Sequence, residues 1–133
     1  MTAVRSTFLR TVIALDAAAC GVMGATFLFD AGWLAGPLGL SPALMQPIGG
    51  FLLPYAAFLA WLASRPALPR TGVWALVVFN LLWAVESIAL VALGWVRPTD
   101  LGLAVVVGQA AAALIVADFQ FVALRKARRE AVA

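Results

Sequence analysis

Gly72 to Gly94 reads GVWALVVFNLLWAVESIALVALG, and this stretch decides the fold. A helix rising about 1.5 Å per residue needs about 20 mostly apolar residues to cross the hydrocarbon core of a bilayer, and this segment supplies them. It also carries a carboxylate, Glu86, which at that depth costs a few kcal/mol (about 2.5 or more) unless it is partnered. At about 100° per residue, Asn80, Trp83, Glu86 and Ser87 fall within an arc of roughly 120°. Trp74, Val77, Val78, Leu81, Val85, Ile88 and Ala92 take the other side. The spacing therefore predicts that the first face looks into the protein and the second into lipid.

The rest of the chain fits this reading. Of 133 residues, 65% are hydrophobic and 11% charged, with a mean hydropathy of +1.04. A soluble domain carries about 25% charged residues, so this composition excludes an ordinary water-soluble globule. Outside the central stretch, apolar runs cover about residues 8–29, 44–63 and 101–124, which with 72–94 predict a single all-α domain, a four-helix transmembrane bundle over residues 1–133. The run at 8–29 exceeds the apolar length of a cleaved signal and contains Asp16, so it reads as a span. Ala17–Ala18–Ala19 before Cys20 loosely matches a lipoprotein cleavage site, but the expected leucine is missing and Asp16 adjoins it, so lipidation is not expected.

The connections are legible from their breakers. Asp30 to Ala43, with Gly32, Gly36, Pro37, Gly39 and Pro42, reads as an interfacial loop, and Ser41–Pro42 as a helix start. Pro54 lacks the N–H that would reach the carbonyl of Gly50, which predicts a kink in the second span. Ser64 to Arg70 and Trp95 to Asp100 read as tight turns, with Thr99 or Asp100 capping the last helix. The tail from Arg125 to Ala133 reads as basic and frayed. Arg5, Arg10, Arg65, Arg70, Arg125, Lys126, Arg128 and Arg129 fall on one side of the four spans and Arg97 alone on the other. The positive-inside rule then places both termini in the cytoplasm.

Packing faces and polar groups follow from the same helical counting. Ala17, Gly21 and Gly24 form a small-residue ridge suited to close helix approach, and Gly102, Gln109, Ala113 and Gln120 form a second inward stripe. Counted from the span centres, Glu86, Ser87 and Gln109 lie in the outer half and Asp16 and Asn80 in the inner half. The expected pairs are therefore Glu86 with Gln109 and Asp16 with Asn80, with Arg10 compensating Asp16. Asp118 reads as interfacial. Trp33, Trp61, Trp74 and Trp95 belong to an aromatic belt, whereas Trp83 is deep and is either a packed core aromatic or the wall of a ligand cavity.

The chemistry-bearing candidates are Glu86, Asp16, Asn80, Gln109, Trp83 and Ser87, as sites for a ligand or a proton. For Glu86 the competing reading is a neutral carboxylic acid serving as polar glue between helices. With no histidine and one cysteine, Cys20, the usual ligands for zinc, haem or a cysteine cluster are missing, so no metal and no cofactor are expected. Cys20 reads as a small buried hydrophobe. No hydrolase elbow, phosphate loop or dinucleotide fingerprint occurs. The nine basic residues sit at span ends instead of in one patch, which argues against nucleic acid as a partner.

The segments ALD, GLSPAL, LLPYAAFLAWLASRP, VFNLLWAVES and GWVRPTDLG together resemble a family of small bacterial four-span integral membrane proteins of uncharacterised activity, over nearly the whole chain. That resemblance implies a bacterial inner-membrane location. In length, span number and an acid in the first helix, here Asp16, the chain is also similar in architecture to small multidrug-resistance transporters. VFNLLWAVES stands where those transporters have a glycine-rich third helix. The leading expectation is a non-enzymatic bundle that self-associates or joins a larger membrane complex and holds a lipid-like ligand. The alternative is a proton-coupled carrier of a small amphipathic or cationic compound. A third reading, an intramembrane enzyme, would need Asp16 and Glu86 in one site.

Overall fold

The structure, a computed structural model, describes residues 3–132, with side chains to Glu130. Its elements are β1 (Ala3–Val4), α1 (Thr7–Phe29), α2 (Ala31–Leu38), α3 (Pro42–Ala63), β2 (Leu68–Pro69), α4 (Arg70–Ala92) and α5 (Asp100–Val132). The fold is an all-α bundle in which α1, α3, α4 and α5 are long and apolar enough to cross a membrane. This is a multi-pass membrane protein by length and composition of its helices.

Local chemistry sets the helix ends. Ser6 accepts a hydrogen bond from the Leu9 N–H at 3.1 Å and starts α1, and Ser41 does the same for α3 from Leu44 at 3.2 Å. Thr99 starts α5, accepting from the Gly102 N–H at 3.1 Å while its own hydroxyl donates to the Pro37 carbonyl at 2.6 Å. One side chain thus caps one helix and ties it to another. Arg10 donates through Nε to the carbonyl of Ala63 at 3.0 Å, at the C-terminal end of α3. It closes a helix end there instead of compensating Asp16.

Three expectations are corrected. The loop Asp30 to Ala43 contains a helix, α2, whose Pro37 falls in its last turn and whose end is set by Gly39 in the left-handed region at φ 66°. An apolar sequence of eight residues lying on the bundle can spend its breakers at its own terminus, so breaker content alone does not mark a loop. The tail from Arg125 onward is helical to Val132, a continuation of α5, and Ala133 lies outside the described residues. The Ser64–Arg70 segment, read as a tight turn only, pairs with the residues before α1 as a short antiparallel ladder with Val4 opposite Leu68. Both residues are buried, Val4 at 1% and Leu68 at 0% exposure, and they plug that end of the core. The helix α3 runs continuously through Pro47 and Pro54.

The four long helices pack as two pairs, α1 along α3 and α4 along α5, and the pairs meet chiefly through α1 and α5. The ridge of α1 is a packing face: Ala17 and Gly24 are buried, and a Cβ on Gly24 would lie 3.0 Å from the Cβ of Leu52. In hydrocarbon there is no hydrophobic drive between helices, so this close van der Waals approach is what holds the pair. Within the second pair, Val73, Val77, Asn80 and Ala84 of α4 are buried, as are Ala110, Ala117 and Gln120 of α5.

Candidate functional site

Because the backbones of the two pairs approach chiefly along one seam, space is left between them. A cavity of about 200 Å³ lies among α1, α3, α4 and α5, and a smaller one of about 50 Å³ adjoins it, sharing Met23, Trp83 and Gln109. The larger is lined by Asp16 and Cys20 from α1, Tyr55 from α3, Phe79, Asn80 and Trp83 from α4, and Gln109 from α5. Leu15, Ala19 and Ala112 also line it and are exposed, so it opens sideways between α1 and α5. The smaller is almost wholly apolar, with Met23, Met45 and Ile48 among its walls and Ser87 as a hydroxyl.

One wall is aromatic. Tyr55 and Phe79 have ring centroids 4.4 Å apart, Phe79 and Trp83 5.8 Å, and Phe51 lies 5.7 Å from Phe79 on the far side. These rings bridge α3 and α4, two helices whose backbones otherwise barely meet. Aromatic faces present negative potential, which suits a cationic or polarised group as well as an apolar one.

The polar groups around the cavity differ in how well they are satisfied. Trp83 donates through Nε1 to Gln109 Oε1 at 2.7 Å, and Gln109 Nε2 donates to the carbonyl of Val106 at 3.0 Å. Gln109 is therefore engaged through both its oxygen and its nitrogen and holds the indole in place. Asn80 donates to Gln120 Oε1 at 3.1 Å, and the Ser87 hydroxyl donates to the carbonyl of Trp83 at 2.8 Å. Cys20 donates through Sγ to Asp16 Oδ1 at 3.5 Å. Asp16 Oδ2 and Tyr55 Oη are buried and have no partner among the described residues. An acceptor oxygen and a hydroxyl left unsatisfied in an apolar cavity cost free energy, and a ligand with a donor group would relieve both.

Five of the six candidates, Asp16, Asn80, Trp83, Gln109 and Ser87, thus line these two adjoining cavities. The exception is Glu86, which is exposed on the outer flank of α4 and is not on the inward arc. The inward face is centred near Val73, Val77, Asn80 and Ala84, and at about 100° per residue Glu86 lies beyond Phe79, outside that face. The expected pair Glu86 with Gln109 is replaced by Trp83 with Gln109, and Asp16 with Asn80 by Asn80 with Gln120. Asp16 and Glu86 occupy different surfaces, so the two acids do not form an acid and base pair in one site. Asp118 is exposed. Trp33, Trp61, Trp74 and Trp95 are exposed near span ends.

Tyr55 was not among the candidates read from the sequence. Its signal was available: the single tyrosine of the chain stands in mid-span, and a phenol at that depth requires a partner. Cys20, read as a plain hydrophobe, acts as the donor that fixes one oxygen of Asp16. Among the described residues, no group of three or more histidine, cysteine or acidic side chains is placed to hold a metal ion. In comparisons with known proteins, no family model, curated protein or solved structure matches the chain.

Proposed function

We propose that this protein is a non-enzymatic membrane bundle that holds a lipid-like amphipathic ligand in the cleft between its two helix pairs. The observation that carries the reading is the unpartnered Asp16 Oδ2 and Tyr55 Oη on a mostly apolar and aromatic cavity of about 200 Å³, whose amides Asn80 and Gln109 are already engaged with Gln120 and Trp83. A ligand with a small donor head, an amine or a hydroxyl, satisfies both oxygens, and its apolar body lies against Phe79, Trp83 and Met23. The lateral opening at Leu15, Ala19 and Ala112 gives such a molecule a route from the bilayer. Native mass spectrometry of the protein extracted gently with its lipids tests this. A retained small molecule whose occupancy falls in both Asp16→Asn and Tyr55→Phe supports it, and identical spectra for all three proteins overturn it.

A second reading is a proton-coupled carrier of a small cationic compound. Asp16 favours it, since a carboxylate facing aromatic rings can exchange a proton for a cation. A carrier requires that binding compete with protonation, so ligand retention would fall as pH is lowered.

Self-association belongs to the same proposal, and its residue is Glu86. No Lys or Arg of this chain lies at its depth, so an exposed acid in mid-span is best covered by a second copy, where a two-fold axis brings the two carboxyls together to share one proton.

A further inference from the structure

A third cavity, of about 300 Å³, lies at the end of the bundle that carries both termini, far along the α1–α5 seam from Asp16. Its rim is formed by Arg5, Ser6 and Thr7 at the start of α1 and by Lys126 and Glu130 on α5. Its floor is apolar, with Val4, Phe8 and Val122. Ser6 is committed to the Leu9 N–H, and its carbonyl accepts from the Arg10 N–H at 3.1 Å. The first two helical N–H groups, those of Thr7 and Phe8, have no acceptor within a helix and point out of its positive end. The rim is held in place rather than hinged: Val4 pairs with Leu68 beside it, and Arg10 is tied to the carbonyl of Ala63.

What surrounds the rim decides what it would take. Phe8 begins the apolar run of α1, so the rim stands at headgroup height and the floor at the top of the hydrocarbon. Phe8 and Phe119 meet edge to face at 5.5 Å. With Val122, at 52% exposure, they make an apolar track leading from the cavity down the α1–α5 seam. Among the described residues of the rim, Arg5 and Lys126 against Glu130 leave one net positive charge, which matches the single negative charge of a phosphodiester. A free phosphate dianion would be left partly uncompensated, and it would make no use of the track.

We propose that this cavity is the headgroup site of one anionic phospholipid, bound with its phosphodiester between Arg5, Lys126 and the N–H groups of Thr7 and Phe8, and with an acyl chain along Phe8, Phe119 and Val122. The site is separate from the Asp16 cleft and does not depend on it. Glu130 sets its preference: on the same rim it disfavours headgroups of higher negative charge.

Lipid retention read by native mass spectrometry tests the assignment, with full-length protein from nanodiscs of equal phosphatidylglycerol and phosphatidylethanolamine. The expected result is one retained phosphatidylglycerol in preference to phosphatidylethanolamine. Retention falls about fivefold for Arg5→Gln or Lys126→Gln, the factor corresponding to about 1 kcal/mol per basic residue at an anionic surface. It rises for Glu130→Gln, an increase that a folding defect would not produce. Inorganic phosphate at millimolar concentration leaves the lipid bound. Equal retention of the two lipids that none of the three variants alters would overturn the proposal, and so would displacement by phosphate alone, which would make the rim a free-anion site.

Discussion

Gly24 and Gly49 face one another where α1 crosses α3, so closely that a Cβ on Gly49 would lie 2.6 Å from the carbonyl oxygen of Gly24 and 2.6 Å from the amide nitrogen of Leu28. Both obstacles are backbone, so neither can rotate away. Gly49→Ala must therefore separate the helices, and overpacking of this kind costs about 1–3 kcal/mol. Thermal melts in detergent should show the loss, and Gly24→Leu should show it as well. Gly50→Ala is the control, since a Cβ there meets nothing within 4 Å. Equal melts for Gly49→Ala and Gly50→Ala would mean that the two helices are not in contact at this crossing.

The second pair of helices is held by a different device. Asn80 and Gln120 are buried at 4% and 0% exposure and joined by one hydrogen bond of 3.1 Å, with Gln120 Nε2 left over. Replacing either alone strands the other, at about 1–2 kcal/mol. Asn80→Leu combined with Gln120→Leu should cost less than the two single changes added together, with a coupling of about 0.6–1.7 kcal/mol. Strict additivity in the melts of the three variants would show that the bond contributes nothing.

The fold was legible where physical length decides it. Four apolar runs of bilayer length gave four helices within a few residues of their bounds, apart from α5, because the sequence draws no line between a span and its helical continuation beyond the interface. The ladder of Val4 with Leu68 was illegible, since two residues carry no periodicity. The side of Glu86 was misread for a related reason: α4 is apolar around its whole circumference, so a count of 100° per residue has no polar face to anchor it. The counted arc is centred near Trp83, roughly 80° from the middle of the face that packs, and a shift of that size moves Glu86 from inside to outside. Asn80 stands at the opposite edge of the counted arc from Glu86 and near the middle of the buried face, so it stayed inside. Which side chains pair could not be read either, because the partners of Asn80 and Trp83 depend on the vertical offset of α4 and α5, which counting from span centres fixes only to about one helical turn.

Glu86 separates stability from association. With no partner among the described residues, Glu86→Leu should leave the melt of the isolated protein unchanged or raise it, since a mid-span acid costs about 2.5–3.5 kcal/mol in lipid. The same change should lower the fraction of cross-linked or energy-transferring pairs in nanodiscs, while Glu86→Gln, which keeps donor and acceptor, should retain much of it. A destabilised monomer would put Glu86 back inside the bundle. An undiminished paired fraction would remove it from any interface.

Orientation rests on the basic residues alone. Arg5, Arg65, Arg70 and Lys126 lie at one end of the bundle and Arg97 at the other, so both termini are expected on the cytoplasmic side. In a Cys20→Ala background, a cysteine at position 128 should react with an impermeant maleimide only after the cells are opened, and one at position 97 in intact cells. The reverse pattern would invert the protein in the membrane.

The cleft poses the last question, and Asp16 and Tyr55 answer it differently under the two readings. Cys20 occupies Oδ1 of Asp16, so a ligand would be met by Oδ2 and by the phenol across the cavity. If the cleft holds a ligand through neutral hydrogen bonds, Asp16→Asn keeps an acceptor and weakens retention only modestly, by about fivefold to tenfold for one hydrogen bond to the head group, and Tyr55→Phe does much the same. If the ligand is a cation exchanged for a proton, Asp16→Asn abolishes retention while Tyr55→Phe spares most of it, because the charge is the determinant and the phenol only an accessory. Both variants preserve shape, and neither removes a hydrogen bond within the bundle other than the long one from Cys20, so their melts should stay near that of the parent. Ligand retention by native mass spectrometry at two pH values, on the parent and both variants, distinguishes the cases. Retention indifferent to both substitutions and to pH would mean that the unsatisfied oxygens face no ligand, and the cleft would then be a gap between helix pairs.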